Sequence, residues 1–174
     1  LGKIVAGVDW VGVFGIATIV LSLMEIVTGR GINIFLIQKK DSIDSYISTA
    51  WITSILRGIL IALVILIAAP FVADFFNVND SLYILRLIAL VPFMRGFINP
   101  SVVKFTKDLS FHKEFYYRTS VFLVETVVSI WLLYVNPSPL SLVWGLIFGA
   151  VFEVLISFGI AKPLPEFTFE MHRF

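Results

Sequence analysis

The sequence predicts an all-α, polytopic transmembrane bundle of about five spanning helices, and three observations carry that expectation. Hydrophobic residues make up 59% of the chain and charged ones 14%, where soluble domains hold roughly 45–50% and 25%. The mean hydropathy is +0.97, an excess that no soluble core explains. The stretch 45–73 holds 29 residues between Asp44 and Asp74 with Arg57 as its one charge. At 1.5 Å per residue it makes roughly 43 Å of helix, more than a ~30 Å hydrocarbon core requires. Within 51–70, eleven Leu, Ile and Val residues favour insertion. Together they contribute roughly −5 kcal/mol against about +3 for a central arginine. The segment inserts and takes Arg57 with it.

The first element, after a short Gly-containing lead, is a span over about 10–37. Gly12, Gly15, Thr18, Ser22, Glu25 and Gly29 recur along it every three or four residues. This stripe reads as a close-packing seam with Glu25 hydrogen-bonded inside it, or as a cavity lining. Thr28-Gly29-Arg30-Gly31 weakens the helix at a charge, an interruption of the kind transporter sites use. The second span covers about 45–76. Helical spacing puts Thr49, Ala50, Thr53, Ser54, Arg57, Gly58 and Ala62 on a protein-facing side. Trp51, Ile55, Ile59, Leu63 and Leu66 then face lipid.

A third span, about 81–104, contains Arg86, Pro92, Arg95, Asn99 and Pro100, with a kink expected at Pro92. Arg86 and Arg95 fall on opposite faces unless that kink realigns them. A charged loop, 104–118, follows, and then a fourth span over about 116–134 with Glu125 and Ser129 one turn apart. After an Asn136-Pro137-Ser138-Pro139 turn, a fifth span over about 140–161 has Gly145, Gly149, Glu153 and Ser157 at every fourth position. That pattern argues for close helix contact. The whole, 1–174, reads as a single membrane domain.

Orientation follows from the cations. The 38–44 loop, the 104–118 loop and the tail after residue 161 hold all eight Lys and Arg outside the spans, lead aside, and the turns at 77–80 and 135–139 hold none. This alternation places the basic loops and the C-terminus in the cytoplasm and Leu1 outside. The 104–118 run is read first as a topology determinant that also touches anionic membrane lipid.

The net charge of +1 implies no nucleic-acid partner. Absence of cysteine excludes disulfides, thiolate catalysis and Cys-based metal sites. The opening residues carry no signal peptide, and the missing initiator Met reads as a piece of a longer chain. His112 and His172 have no companions at metal spacing, and no nucleophile elbow, phosphate loop or paired-carboxylate motif is present. No catalytic residue, metal or cofactor is therefore expected. The candidate functional residues are the charges in or beside spans: Arg30, Arg57, Arg86, Arg95, Glu25, Glu125 and Glu153. Each costs about 2.5–3.5 kcal/mol in a membrane centre, so each needs a partner. They either pair with one another or line a polar cavity whose slight cationic excess suits an anionic headgroup. Arginine offers a planar fork to phosphate.

In their order these features resemble the oligosaccharide and polysaccharide flippases of the multidrug/oligosaccharidyl-lipid/polysaccharide superfamily, O-antigen flippases among them. The matching residues are Asp9-Trp10, Gly12-Val13-Phe14, Gly31-Ile32-Asn33 leading to Leu36-Ile37-Gln38-Lys39, and Ser48-Thr49-Ala50-Trp51. Ala69-Pro70 with 73–76, Leu85-Arg86-Leu87, 105–111 and Leu142-Val143-Trp144-Gly145 continue the likeness. The resemblance implies helices two to six of a two-bundle transporter around a central cavity. It implies a lipid-diphosphate-linked oligosaccharide as substrate, alternating access as mechanism, and the remainder of the transporter as a partner. Lipopolysaccharide or other polysaccharide biosynthesis at the cytoplasmic membrane is the expected setting. Arg95 and Glu153 match no fixed residue of the family pattern, so their roles rest on the charge argument alone. Two other classes stay open: a non-transporting membrane scaffold subunit, and a membrane-embedded glycosyltransferase or polymerase.

Overall fold

The computed structural model describes residues 12, 14–23, 46–76 and 82–165. All regular structure among them is helical. In chain order the helices are α1 (Phe14–Leu23), α2 (Ile47–Phe75), α3 (Leu82–Leu87), α4 (Leu90–Arg95), a 3-10 turn (Pro100–Val102), α5 (Val103–Lys107), α6 (Phe111–Val135) and α7 (Pro139–Ile160). Three of these, α2, α6 and α7, are long and apolar enough to cross a membrane. Segments Leu82–Arg95 and Pro100–Lys107 form a fourth candidate span bent by 72°. Of the expected first span, 10–37, the structure describes α1; Arg30 and Glu25 lie outside the described residues.

In α2 the buried stripe runs through Trp51, Gly58, Ala62, Ile65, Ala69 and Ala73, at spacings of three, four and seven. Leu56, Leu60, Leu63, Ile67 and Phe71 are exposed on the other side, where lipid would cover them. Trp51 corrects the expected lipid face. It shares a heptad stripe with Gly58 and Ile65, and burial lets its indole N–H donate to the Phe97 carbonyl at 3.0 Å. Of the two readings of the α1 glycine stripe, the described residues show no packing seam at its first two glycines. Nothing described lies within 4 Å of a Cβ at Gly12 or Gly15. Helix α1 instead packs through Ala17 and Leu21 against a core that includes Ile65, Ile84, Ile88, Val143 and Ile147. Thr18 bonds back to the Phe14 and Gly15 carbonyls.

The expected kink at Pro92 takes the form of a break between α3 and α4 at Ile88 and Ala89. Pro92 has no N–H for the Ile88 carbonyl, and its ring excludes that carbonyl from helical geometry. The chain turns there through Ala89→Arg86 and Val91→Ile88 bonds of the 3-10 kind. A second break follows at 96–99 and is closed by Asn99, which is fully buried. Its side-chain oxygen caps Ser101 N–H at 2.9 Å with Pro100 at the first helical position. Its amide donates to the Ala161 and Pro163 carbonyls, and its own N–H donates to Ser157 Oγ. The second break is thereby tied to the end of α7.

The stretch 104–118 is less of a loop than the charges suggest. Helix α5 ends at Lys107 and α6 begins at Phe111, so only three residues separate them. Thr106 Oγ1 donates to Glu114, and Arg118 Nε donates to the same carboxylate. Glu114 and Arg118, paired one turn apart, support the part of α6 that starts upstream of residue 116.

Helices α6 and α7 form an antiparallel hairpin with the most extensive helix–helix contact among the described residues. Pro139 opens α7 at a position where a missing N–H costs nothing. A Cβ on Gly145 would collide with the Ser129 side chain, and one on Gly149 would fall 3.0 Å from Glu125 Cβ. The small-residue ladder of α7 thus receives the Glu125–Ser129 ladder of α6, the close contact that its spacing predicts.

Candidate functional site

Two close approaches decide where the charges go. Gly58 of α2 and Gly96, just past α4, meet backbone to backbone. Each is preceded by an arginine, so Arg57 and Arg95 leave neighbouring points of one crossing, within about 12 Å at the backbone. Arg57 is half-buried at the edge of the α2 stripe, with its Nε shielded from solvent. The α6–α7 hairpin supplies the second approach and brings Glu125 and Glu153 to the same side as α4.

There Arg95 Nε stands 3.2 Å from Glu153 Oε2, the side chains 32% and 19% exposed. The two atoms face each other as an ion pair, out of line for a hydrogen bond. Tyr117 donates its hydroxyl to the other carboxylate oxygen at 3.4 Å. Glu125 presses on Gly149, its Oε2 3.2 Å from where a Cβ would be, within electrostatic reach of both Arg95 and Glu153. One guanidinium, two carboxylates and a phenol from three helices therefore meet at the interface of α4, α6 and α7.

Of the seven candidates, Arg95, Glu125 and Glu153 are brought together. Arg57 flanks them across the α2 crossing, and Arg86 is exposed on α3 outside the cluster. Tyr117 and Asn99 were not among the candidates. Tyr117 sits at the four-residue spacing that continues Ser129–Glu125 toward the start of α6. Asn99-Pro100 is the signature of a helix start.

Chemically, the cluster can hold a guanidinium in place or yield it to a competing anion. Among the described residues no three His, Asp or Glu side chains gather as for a metal ion. Backbone groups at the second break are taken up internally, Phe97 O by Trp51 and Asn99 N by Ser157, so that break fixes a corner.

Searches of curated proteins and of solved structures return no match. The comparison with family models returns one, described as a polysaccharide biosynthesis protein and matched over residues 8–174. A multi-pass arrangement of long apolar helices, a charged cluster between them and that match over nearly the whole chain agree: the chain belongs to the polysaccharide biosynthesis protein family.

Proposed function

We propose that this chain is part of a transporter, and not an enzyme, that carries a lipid-linked oligosaccharide across the cytoplasmic membrane by alternating access. The single observation that carries the reading is the ion-paired Arg95–Glu153 contact between spanning helices, with Arg57 on the far side of the Gly58–Gly96 crossing. Membrane charges are expensive and mark pathways for charged cargo. Two guanidiniums flanking one crossing suit a diphosphate, which accepts paired N–H bonds. Arg95 is engaged by Glu153 in this conformation, so the cargo would compete with that carboxylate for it. Such competition is one way binding could favour a second conformation.

The same reading makes the chain one of two related bundles around the route, with Arg57, Arg95, Glu125 and Glu153 along it and Arg30, Glu25 and Arg86 as further candidates. Cations gather at the end of the bundle where α5 meets α6 and α7 ends, and this end is assigned to the cytoplasm. The test is transport by the intact protein in proteoliposomes loaded with a fluorescent lipid-diphosphate oligosaccharide. The expected result is time-dependent transfer between leaflets, with a neutral glycolipid of the same tail left behind. Equal transfer of both lipids, or of neither, would overturn the reading.

A further inference from the structure

The turn between α5 and α6 contains a residue that is out of place. Helix α5 closes with Ser110 N–H on the Phe105 carbonyl at 2.8 Å and Leu109 N–H on the Thr106 carbonyl at 3.2 Å. This pair of bonds defines a Schellman ending, whose penultimate residue takes the left-handed conformation and is normally glycine. Here that residue is Leu109, at φ 53°. A branched apolar side chain pays roughly 1–2 kcal/mol of local energy for the conformation. It gains no burial in return, being 68% exposed.

The surroundings say what would repay an exposed leucine. Phe111, Phe115 and Tyr116 follow within two turns and are exposed by 64%, 63% and 70%. Lys113 and Arg118 are exposed among them, Lys104 and Lys107 flank the turn on α5, and Lys162 is exposed where α7 ends at the same side of the bundle. Among the described residues five Lys and Arg stand against Asp108 and Glu114 at this end, and Glu114 is already engaged by Thr106 and Arg118. Aromatic rings and cationic heads on apolar stems favour the level of lipid headgroups. The opposite end of the hairpin, 131–144, has Trp131, Tyr134 and Trp144 and no cation at all.

We propose that the α5–α6 elbow is an interfacial anchor for anionic phospholipid, with Leu109 and Phe111 set into the headgroup–acyl boundary and Lys113 and Lys162 over the lipid phosphates. This does not depend on the transport reading. A leucine forced into a glycine conformation at the tip of a basic turn is explained when that side chain has its own apolar solvent.

Residues 1–174 hold no cysteine, so with any cysteine elsewhere in the intact protein replaced by serine, Leu109→Cys gives a single labelling site. The intact protein, labelled there with a fluorophore, is placed in nanodiscs of phosphatidylcholine with or without phosphatidylglycerol. Lipid-borne nitroxide is expected to quench the label more than an aqueous quencher does, and more deeply when phosphatidylglycerol is present. In Lys113→Gln/Lys162→Gln the phosphatidylglycerol dependence should fall by roughly fivefold per lysine. Quenching mainly from water, or an unchanged lipid dependence in the double variant, would overturn the proposal. A second variant separates anchor from turn. Leu109→Gly removes the left-handed penalty, so in detergent it should unfold at an equal or higher temperature than the parent. In phosphatidylglycerol nanodiscs the parent should exceed it. If Leu109→Gly were destabilising in detergent, or unchanged in its response to phosphatidylglycerol, the side chain would be serving the fold and the anchor would be excluded.

Discussion

A methyl group on Gly58 would sit 2.7 Å from the Pro92 carbonyl oxygen and 2.9 Å from Gly96 Cα, both backbone atoms that cannot swing away. Gly58→Ala should therefore destabilise the protein by about 2–3 kcal/mol, measured by unfolding in a fixed detergent. Gly159 is the control, because a Cβ there meets nothing within 4 Å. Gly159→Ala should be neutral or gain up to about 1 kcal/mol from helix propensity. At Glu153, Gln has one oxygen where the carboxylate has two, so it can present that oxygen to Arg95 while its NH2 donates to the Tyr117 hydroxyl, and the loss should be about 1 kcal/mol. Leu leaves the guanidinium with no carboxylate at that contact. A loss of about 3 kcal/mol is expected, at the low end for a buried pair because Arg95 keeps 32% exposure. Arg95→Met together with Glu153→Leu should recover most of it, and equal losses in all three variants would contradict the pairing.

At the scale of elements, the break after α4 depends on one side chain. Asn99→Ala removes the cap on Ser101 and the donor to two carbonyls of the α7 end, a loss of about 2–4 kcal/mol. Asn99→Asp would be harmless at an exposed cap. Here it keeps the cap and sets a carboxylate against the Ala161 carbonyl, so it should unfold no later than the alanine variant. Those outcomes separate a buried clamp from a simple helix start. The sequence made the long elements readable because α2 and α7 are nearly uninterrupted apolar runs, and the four-residue ladders of Gly145–Gly149 and Glu125–Ser129 named the faces that meet. Facing was harder to read where a residue is amphipathic. Trp51 is apolar enough for lipid, yet its N–H found a carbonyl freed by a break 46 residues away. Glu153 and Glu125 were legible as charges needing partners. That Arg95 rather than Arg86 would reach them depends on two consecutive breaks, whose combined angle no local pattern specifies.

For the whole molecule, the gathering of Lys104, Lys107, Lys113, Arg118 and Lys162 at one end makes a prediction about sidedness. A cysteine at Ser138 should react with an impermeant thiol reagent added outside cells, and one at Lys107 should react only after the membrane is opened. The reverse pattern would invert the bundle and remove the proposed direction of transport. The proposed route runs between the two bundles and past the α2–α4 crossing, where Arg57 lies within the long apolar helix α2. The most direct measurement is flipping of a lipid-diphosphate oligosaccharide by Arg57 variants of the full transporter, expressed per folded molecule in the membrane. Arg57→Lys keeps the charge without the planar fork and should retain partial flipping, while Arg57→Ala should retain little. Flipping at the parent rate by correctly inserted Arg57→Ala would contradict a substrate route at this residue.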